Sequence, residues 1–191
     1  MGNKSAGVWG IAIRNEDEFQ NALLLCEHLC FYKTMERFIA QDQLASLGEL
    51  YRQAGRRLVL TNGCFDLLHT GHVRYLQQAR ALGDALLVAV NSNRSVQELK
   101  GPTRPLNSEQ DRTEVLAALR CVDHVAIFDE MRVTEVIKKL QPSIYAKGGD
   151  YTIETLDATE REALNACGAE VKILPLVPGR STTRLIDQMS S

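Results

Sequence analysis

From residue 57 onward, short aliphatic runs alternate with amphipathic stretches of helical spacing. Each aliphatic run is nearly continuous, which is typical of strands buried on both faces of a parallel sheet. The alternation predicts an α/β fold with an open, parallel, five-stranded sheet and helices on both faces. The predicted strands are Leu58 to Thr61, Ala85 to Val90, His124 to Phe128, Ser143 to Ala146 and Val171 to Leu174.

Apolar residues recur at helical spacing between these strands. We expect Gly83 and Gly168 to stop two of the helices, because glycine readily adopts the backbone conformation that follows a helix C-terminus. The predicted helices are Gly71 to Ala81, Ser108 to Leu119, Val133 to Leu140 and Ala158 to Ala166.

Residues 1–42 have a different pattern from the rest of the chain. A short apolar segment, Val8 to Ile13, precedes Asn15 and Glu18, which have the spacing of a helix cap. An amphipathic helix with no catalytic or metal-binding pattern is predicted after this cap. We therefore expect an N-terminal extension, residues 1–42, whose helix packs on the main domain, residues 43–191, or on another subunit. Its apolar face consists of Phe19, Ala22, Leu23, Cys26, Leu29 and Cys30.

Charge and composition exclude several classes of protein. Twenty-two lysines and arginines against 24 acidic residues give a net charge of −2, so no overall positive field favours nucleic acid or an anionic membrane. No apolar run reaches the ~18 residues that a membrane span requires. The odd number of cysteines, five, is scattered along the chain and favours a reducing, cytoplasmic compartment.

Four polar, glycine-containing loops are candidates for the ligand site. In open parallel sheets the ligand lies beyond the carboxyl ends of the strands, where the strand order reverses. The loops expected at this edge are residues 62–66, 91–93, 147–151 and 178–183.

The most informative loop contains two histidines. His69 and His72 lie at i and i+3 around Gly71, after a predicted buried strand and at the start of a helix. This spacing places both imidazoles on one helix face, beside backbone amides that attract phosphate. Ordinary polar residues on an exposed turn are the simpler interpretation. However, hydrogen-bond donors at a helix start suit phosphoryl or nucleotidyl transfer, which needs positioning and charge stabilisation rather than a covalent nucleophile. The chain has neither a P-loop pattern nor the dinucleotide glycine fingerprint after a strand.

The segment from Gly63 to His72 resembles the His-x-Gly-His signature of the nucleotidyltransferase superfamily. Other stretches are similar, in order and spacing, to the adenylyltransferase domain of ADP-heptose synthases, and together they cover residues 43–190. They are Thr61 to Asp66, Lys100 to Pro102 with Arg104 and Pro105, Lys147 to Tyr151 and Gly179 to Thr183.

This resemblance implies a Rossmann-like domain that converts ATP and a heptose 1-phosphate into ADP-heptose and pyrophosphate. Magnesium would be bound mainly through the triphosphate. The resemblance also implies a homodimer, because residues 120–123 are similar to the interface motif of relatives.

Site roles follow from the same motifs. His69 and His72 would stabilise charge at the α-phosphate, Lys100 would reach the reacting phosphates from a loop, and Arg104 would join Lys100 in binding the acceptor. Asp66 is a candidate for a metal contact or a helix cap, and Cys64 a packing residue in contact with the nucleotide. The residues expected to bind nucleotide are Asn62, Gly63, Cys64, Phe65, Asp66, Gly71, Asn91, Lys147, Gly149, Asp150, Arg180, Ser181, Thr182 and Thr183. Of these, Ser181 could instead cap the last helix, and 147–150 could be a plain turn.

Two departures from the family pattern leave alternatives open. Many relatives carry a sugar kinase domain before this one, which 42 residues cannot replace, so kinase activity is not expected. Residues 152–157 lack a Val-Gly-containing stretch associated with heptose enzymes. A cytidylyltransferase acting on CTP and glycerol 3-phosphate or a similar small phosphate is therefore the first alternative. A non-catalytic nucleotide sensor or scaffold is the second, and an intact set of His69, His72, Lys100 and Arg180 argues against it.

Overall fold

The structure is a computed structural model that describes residues 37–149, 151–152 and 154–175. These residues belong to one compact unit that begins at Arg37. The predicted N-terminal helix with Asn15, Glu18 and Phe19 lies outside the described residues, as do Asp150 and the loop from Arg180 to Thr183.

Within the described residues, five parallel strands form one sheet in the order β3-β2-β1-β4-β5. The chain first builds outward from β1 to β3 and then returns to the other side of β1, so the order reverses between β1 and β4. The predicted α/β class and Rossmann-like architecture are confirmed. The strands are β1 (Leu58–Gly63), β2 (Ala85–Asn91), β3 (His124–Phe128), β4 (Ile144–Gly148) and β5 (Glu170–Leu174).

The central strands form where the sequence is continuously apolar. Val59 pairs with Leu86 on one side and with Ile144 on the other, and all three side chains are fully buried. Burial of each such side chain contributes roughly 1.5–3 kcal/mol. A strand with no polar face can lie only in the interior of the sheet, which fixes β1 and β2 at its centre.

Six helices accompany the strands in the described part of the chain. The four predicted helices are present with boundaries shifted by one or two residues. A helix at residues 44–53 and another at 93–100 were not predicted. The longest, α2, has 11 residues, and no described helix has the length and apolarity to cross a bilayer. They are α1 (Leu44–Gln53), α2 (Thr70–Arg80), α3 (Asn93–Lys100), α4 (Glu109–Ala117), α5 (Thr134–Leu140) and α6 (Ala158–Cys167).

The two glycines predicted to stop helices differ in role. Gly168 caps α6 in the left-handed conformation, with a φ of 70°, as expected. Gly83 is not a cap, because α2 ends at Arg80 and Ala81 is its C-cap. A Cβ at Gly83 would lie 2.6 Å from the carbonyl oxygen of Arg57. Gly83 is therefore needed for a close backbone contact at the start of β1.

The segment before α1 is attached to the edge of the sheet. Phe38 forms a parallel bridge with Val125 of β3, where the Ile39 amide donates to the Val125 carbonyl oxygen at 2.8 Å. The Arg37 side chain donates to the carbonyl oxygens of Ala117 and Val122. The compact unit thus begins at Arg37, six residues before the boundary at residue 43 that the sequence suggests.

Candidate functional site

The carboxyl ends of β1 and β4 are neighbours at the point where the strand order reverses. Asn62 and Gly63 end β1, and Lys147 and Gly148 end β4. An open parallel sheet separates its loops at such a point and leaves a crevice for a ligand. The predicted loop at 62–66 and the described residues of the predicted loop at 147–151 therefore lie on the two sides of one crevice.

The two histidines lie at the start of α2. His69 occupies the N-cap position with extended backbone, and no side-chain hydrogen bond caps this helix. The imidazoles of His69 and His72 are stacked, with centroids 3.9 Å apart and planes inclined by 21°. The spacing of i and i+3 thus brings the rings together, as predicted. Both residues are partly buried rather than fully exposed on the first turn.

His72 is held in a neutral state by its surroundings. Burial, the adjacent His69 and the charge of Lys100 lower the pKa of His72 to about 4. The Phe65 ring packs edge-on against the His72 ring at 5.5 Å, and Phe65 reaches this position through a left-handed backbone with a φ of 47°. At neutral pH His72 therefore provides a hydrogen bond and not a positive charge.

The sequence predicts that Lys100 lies on a loop. In the structure it is the last residue of α3. Its side chain is exposed, and the helix ends at Gly101, which has a φ of 93°. The charge of Lys100 adds to the burial that lowers the pKa of His72 and opposes the burial that raises the pKa of Cys64, which places Lys100 on the histidine side of the crevice. A flexible ammonium there acts as a point charge for phosphate.

Asn91 and Ser92 connect β2 to α3. The Ser92 hydroxyl accepts a hydrogen bond from the Ser95 amide at 3.2 Å. The buried Asn91 side chain donates to the Ser95 hydroxyl at 2.9 Å. Asn91, predicted to bind nucleotide, thus contributes to the start of the helix that ends at Lys100.

Asp66 accepts three hydrogen bonds from the connection between α3 and α4. The donors are Arg104 Nε at 2.5 Å, the Leu106 amide at 2.7 Å and the Asn107 amide at 3.1 Å. Burial opposes ionisation, but the hydrogen bonds of Asn107, Arg104 and Leu106 outweigh it and keep the pKa of Asp66 below its usual value. Asp66 does not cap α2, because His69 holds that position. With both carboxylate oxygens used in this way, Asp66 does not fit a magnesium ligand.

Arg112 completes this arrangement, and the sequence analysis did not identify it. Its side chain is 2% exposed and donates to the carbonyl oxygens of Cys64 and Asn107 and to Asn93 Oδ1. It joins the loop after β1, the connection before α4 and the start of α3. We refer to Asp66, Arg104, Leu106, Asn107 and Arg112 as the Asp66 clamp.

Tyr75, also not identified from sequence, attaches α2 to the sheet. Its hydroxyl is 2.7 Å from Thr61 Oγ1 on β1 and donates to the Ala146 carbonyl oxygen on β4 at 3.0 Å. Burial raises the pKa of Tyr75 to about 12. The phenol stays neutral, and the helix that carries the histidines is fixed to both strands beside the crevice.

Lys147 lies on the other side of the crevice and is 8% exposed. Its ammonium donates to Asn62 Oδ1 at 2.8 Å and to the Tyr145 hydroxyl at 3.0 Å. Burial lowers the pKa of Lys147, and the nearby Glu160 opposes this effect. Tyr145 and Glu160 were not identified from sequence, since a buried tyrosine in a strand and a glutamate in a helix carry no distinctive pattern.

The remaining predicted residues have simpler surroundings. Gly71 lies in the first turn of α2, and Gly149 is exposed after β4. Cys64 is half-buried, and burial raises the pKa of its thiol, which suits a packing residue rather than a thiolate. In the described ranges, no group of three or more histidine, cysteine or acidic side chains could hold a metal ion.

A protein-family model described as cytidylyltransferase-like matches residues 60–187. This range includes both strands beside the crevice and the paired histidines. The chain belongs to the cytidylyltransferase-like family. The predicted membership of the nucleotidyltransferase superfamily is therefore confirmed.

Among its relatives, the bifunctional protein HldE of Syntrophotalea carbinolica is 44% identical over 183 residues, covering 96% of this chain and 36% of that protein. The bifunctional protein HldE of Citrifermentans bemidjiense is 51% identical over 150 residues, which are 78% of this chain and 30% of the relative. This chain thus spans about a third of the length of these relatives.

A solved structure of similar fold is the lipopolysaccharide core biosynthesis protein from Thermoplasma volcanium. The TM-score is 0.53 at 30% sequence identity, and the match covers 64% of this chain and 98% of that one. The match therefore takes in almost all of that chain and about two thirds of this one.

Proposed function

We propose that this chain transfers the adenylyl group of ATP to a sugar 1-phosphate, with a heptose 1-phosphate as the acceptor. A phosphate oxygen of the sugar attacks the α-phosphorus of ATP and forms the new bond. The bond from the α-phosphorus to the oxygen that bridges to the β-phosphate breaks, and pyrophosphate leaves. The observation that carries this proposal is the stacked histidine pair, 3.9 Å apart at the start of α2, beside the crevice of a nucleotidyltransferase fold.

In this mechanism each group of residues has a separate role, and none forms a covalent bond to the substrate. His69 and His72 donate hydrogen bonds to oxygens of the α-phosphate as negative charge builds there. Since His72 is neutral near pH 7, it stabilises charge without giving up a proton. Lys100 supplies a positive charge to the reacting phosphates, and the proposed contacts of Arg180 to Thr183 hold the triphosphate.

Nucleotidyltransferases generally use Mg²⁺. In this chain we infer that the ion arrives with the triphosphate, because hard phosphate oxygens are its preferred ligands. The Asp66 carboxylate is used by three hydrogen bonds from the protein, so it is not part of the proposed magnesium site.

Arg104 is the proposed contact for the phosphate of the acceptor. Its Nε is held by Asp66, while its Nη2 is buried with no hydrogen-bond partner in the described part of the chain. A guanidinium fixed at one nitrogen presents the others in a defined direction, which suits binding of phosphate.

Transfer of a cytidylyl group from CTP to glycerol 3-phosphate or a similar small phosphate is the second candidate. The description of the matching family as cytidylyltransferase-like favours it. The two candidates share the histidine pair and differ in the nucleoside and the acceptor.

One experiment separates these candidates. Pyrophosphate release is measured with ATP, CTP, GTP and UTP against heptose 1-phosphate, glucose 1-phosphate and glycerol 3-phosphate. We expect the highest kcat/KM for ATP with heptose 1-phosphate. Highest activity with CTP and glycerol 3-phosphate supports the second candidate, and no productive pair supports a sensor or scaffold.

We also propose that the chain is a homodimer that uses residues 120–123. Val122 is buried, and Asp123 bonds internally to the Leu86 amide at 2.8 Å and to Arg80 Nε at 2.6 Å. Arg120 is exposed and Cys121 partly so, which leaves these two side chains for an interface. Light scattering of the wild type and of Arg120→Glu tests this proposal.

A further inference from the structure

A cluster of four polar side chains lies beneath the β4 side of the crevice. It consists of Asn62, Tyr145, Lys147 and Glu160, which we call the Lys147 cluster. Lys147 is 8% exposed, Glu160 4% and Tyr145 fully buried, whereas Asn62 is half-buried at the end of β1. Burying a lysine and a glutamate lowers the free energy of unfolding unless their charges are paired and hydrogen-bonded. A functional role for the cluster would explain why the fold keeps these groups buried.

The contacts of Lys147 fix the orientation of the Asn62 amide. An ammonium group can donate hydrogen bonds but cannot accept them. The Asn62 atom that lies 2.8 Å from Lys147 Nζ is therefore the oxygen. The Tyr145 hydroxyl donates to the same oxygen at 2.8 Å, which removes the ambiguity that usually affects asparagine side chains.

This orientation leaves Asn62 Nδ2 as the free end of the amide. Nδ2 forms no hydrogen bond within the described part of the chain, and Asn62 is partly exposed at the carboxyl end of β1. Because Oδ1 already accepts from two donors, Asn62 can offer a ligand only its N–H groups. It can bind a ring nitrogen or an oxygen, but not the amino group of a base.

Glu160 and two tyrosines complete the surroundings of Lys147. Glu160 Oε2 is 3.4 Å from the Tyr145 hydroxyl, and its charge favours the protonated form of Lys147. The Tyr151 ring centroid lies 4.8 Å from Lys147 Nζ, within the range of a cation–π contact. The ammonium is thus occupied by the protein, which makes it a positioning group rather than a contact for the nucleotide phosphates.

We propose that Asn62 Nδ2 donates a hydrogen bond to the nucleoside part of the nucleotide substrate, and that Lys147 and Tyr145 position Asn62 for this contact. The proposal rests on the proposed function only in placing a nucleotide in the crevice. The histidine pair and the start of α2 occupy the phosphate side. Asn62 is instead bonded to β4, whose following glycines allow the close approach of a base or ribose.

The test uses Asn62→Asp and Asn62→Ala and measures the Kd of adenosine, ATP and pyrophosphate by calorimetry. Asn62→Asp keeps an oxygen for Lys147 and Tyr145 but removes the N–H donor. We expect both variants to bind adenosine and ATP roughly 3- to 10-fold more weakly, the effect of one lost hydrogen bond. Pyrophosphate binding should change less than about twofold. Unchanged adenosine affinity in Asn62→Asp would overturn the proposal, and so would an equal loss for pyrophosphate, which would indicate a charge effect.

The positioning role of Lys147 has its own test. Lys147→Met removes the ammonium and leaves Glu160 buried without the nearby positive charge, so a lower Tm is expected. The double variant Lys147→Met/Glu160→Gln removes both charges and should recover most of the Tm. It should still bind adenosine more weakly than the wild type, because Tyr145 alone then holds the Asn62 amide oxygen. Recovery of adenosine affinity together with Tm would show that Lys147 acts through stability alone and would overturn its positioning role.

Failure of this inference differs from failure of the proposed function. The calorimetric test measures binding and needs no acceptor or turnover. A wild type that binds adenosine without releasing pyrophosphate in any nucleotide and acceptor pair contradicts the proposed function alone. A wild type that catalyses transfer, with Asn62→Asp binding adenosine normally, contradicts the inference alone.

Discussion

The start of α2 and the Asp66 clamp are adjacent in the chain but differ in how their polar groups are used. The His69 and His72 rings stack on each other, and the Phe65 ring packs edge-on against His72. The charged groups of Asp66 and Arg112 instead form hydrogen bonds with the protein backbone. In the proposed mechanism the histidines act on the substrate, whereas the clamp fixes the loops from which they and Lys100 act.

The largest expected effect is on turnover when the acting residues are removed. We expect His69→Ala and His72→Ala each to lower kcat by roughly 10² to 10³, the range for loss of one preorganised charge-stabilising donor. Because α2 is also held by Tyr75, the Tm should fall only modestly. Saturating kinetics and thermal unfolding of the same preparations check both expectations.

Lys138→Ala is the control for the histidine variants, since its exposed side chain contacts Glu135 on α5. It should match the wild type in both measurements. Near-parental kcat in either histidine variant would remove that histidine from the proposed mechanism. Loss of cooperative unfolding would instead assign it a structural role.

Removal of the clamp should affect stability as well as turnover. Asp66→Ala leaves Arg104 Nε and the amides of Leu106 and Asn107 without their acceptor. Since breaking a buried charge pair costs about 3 kcal/mol or more, we expect denaturant unfolding to show a loss of about this size. The KM of the acceptor should rise too, because Arg104 loses its orientation.

Asp129→Ala is the matched control for Asp66→Ala. Asp129 is 3.9 Å from Arg94, and both side chains are more than 60% exposed, so its removal should cost about 0–1 kcal/mol. If Asp66→Ala is no less stable than Asp129→Ala, the clamp does not hold the loops and the contrast with the histidines fails.

The sequence predicts the sheet well because its strands are continuous apolar runs. It misses α3, in which Ser95 and Val96 are the buried residues, because so short a buried face gives almost no periodic signal. The helix α1 does carry a signal, with Leu44, Leu47 and Tyr51 on its buried face. That signal lies immediately after the expected domain boundary at residue 43, in a stretch for which no helix is predicted.

The site also has parts that the sequence predicts and parts that it does not. The histidine pair follows from a local spacing of three residues, which a helix converts directly into a ring contact. The Asp66–Arg104 contact of the clamp and the Asn62–Lys147 contact of the Lys147 cluster join residues 38 and 85 positions apart. Such pairs are set by the sheet order, and charges in amphipathic helices look alike in sequence whether they face solvent or a loop. Asp66 could therefore be singled out as important, but not given its role.

Two truncations separate the extension from the unit that carries the site. We expect deletion of residues 1–36 to preserve pyrophosphate release, because the loops assigned to the site follow Leu58. Deletion of residues 1–42 also removes the Arg37 and Ile39 hydrogen bonds to the sheet edge. At roughly 1 kcal/mol for each lost hydrogen bond, it should lower stability by about 2–3 kcal/mol while the site loops remain.

Specific activity, urea unfolding and light-scattering mass are measured for both truncations. The apolar face of the predicted helix could also change assembly when it is deleted, and the mass detects this. A folded protein lacking residues 1–36 that shows no activity would place part of the site in the extension. Equal stability of the two truncations would move the boundary back to residue 43.

The smallest expected effect is on the pH dependence of stability. The pKa of His72 is about 4 in the folded protein, below its usual value of 6.5. The unfolded chain therefore binds the proton more readily between these values, and folding stability contributed by neutral His72 is present above pH 6.5 and lost as the pH falls toward 4. Because His72 is partly exposed, we expect this contribution to be on the order of 1 kcal/mol.

Urea unfolding of the wild type and of His72→Gln between pH 4 and pH 7.5 measures this contribution. Glutamine does not titrate, so the difference in unfolding free energy between the two proteins should shrink as the pH falls below 6.5 and stay constant above it. The same low pKa means that kcat of the wild type should show no inflection from His72 between pH 6 and 8. A stability difference that is flat across the whole range would show that His72 titrates normally in the folded protein, and the neutral donor assigned to the α-phosphate would then be a cation below pH 6.5.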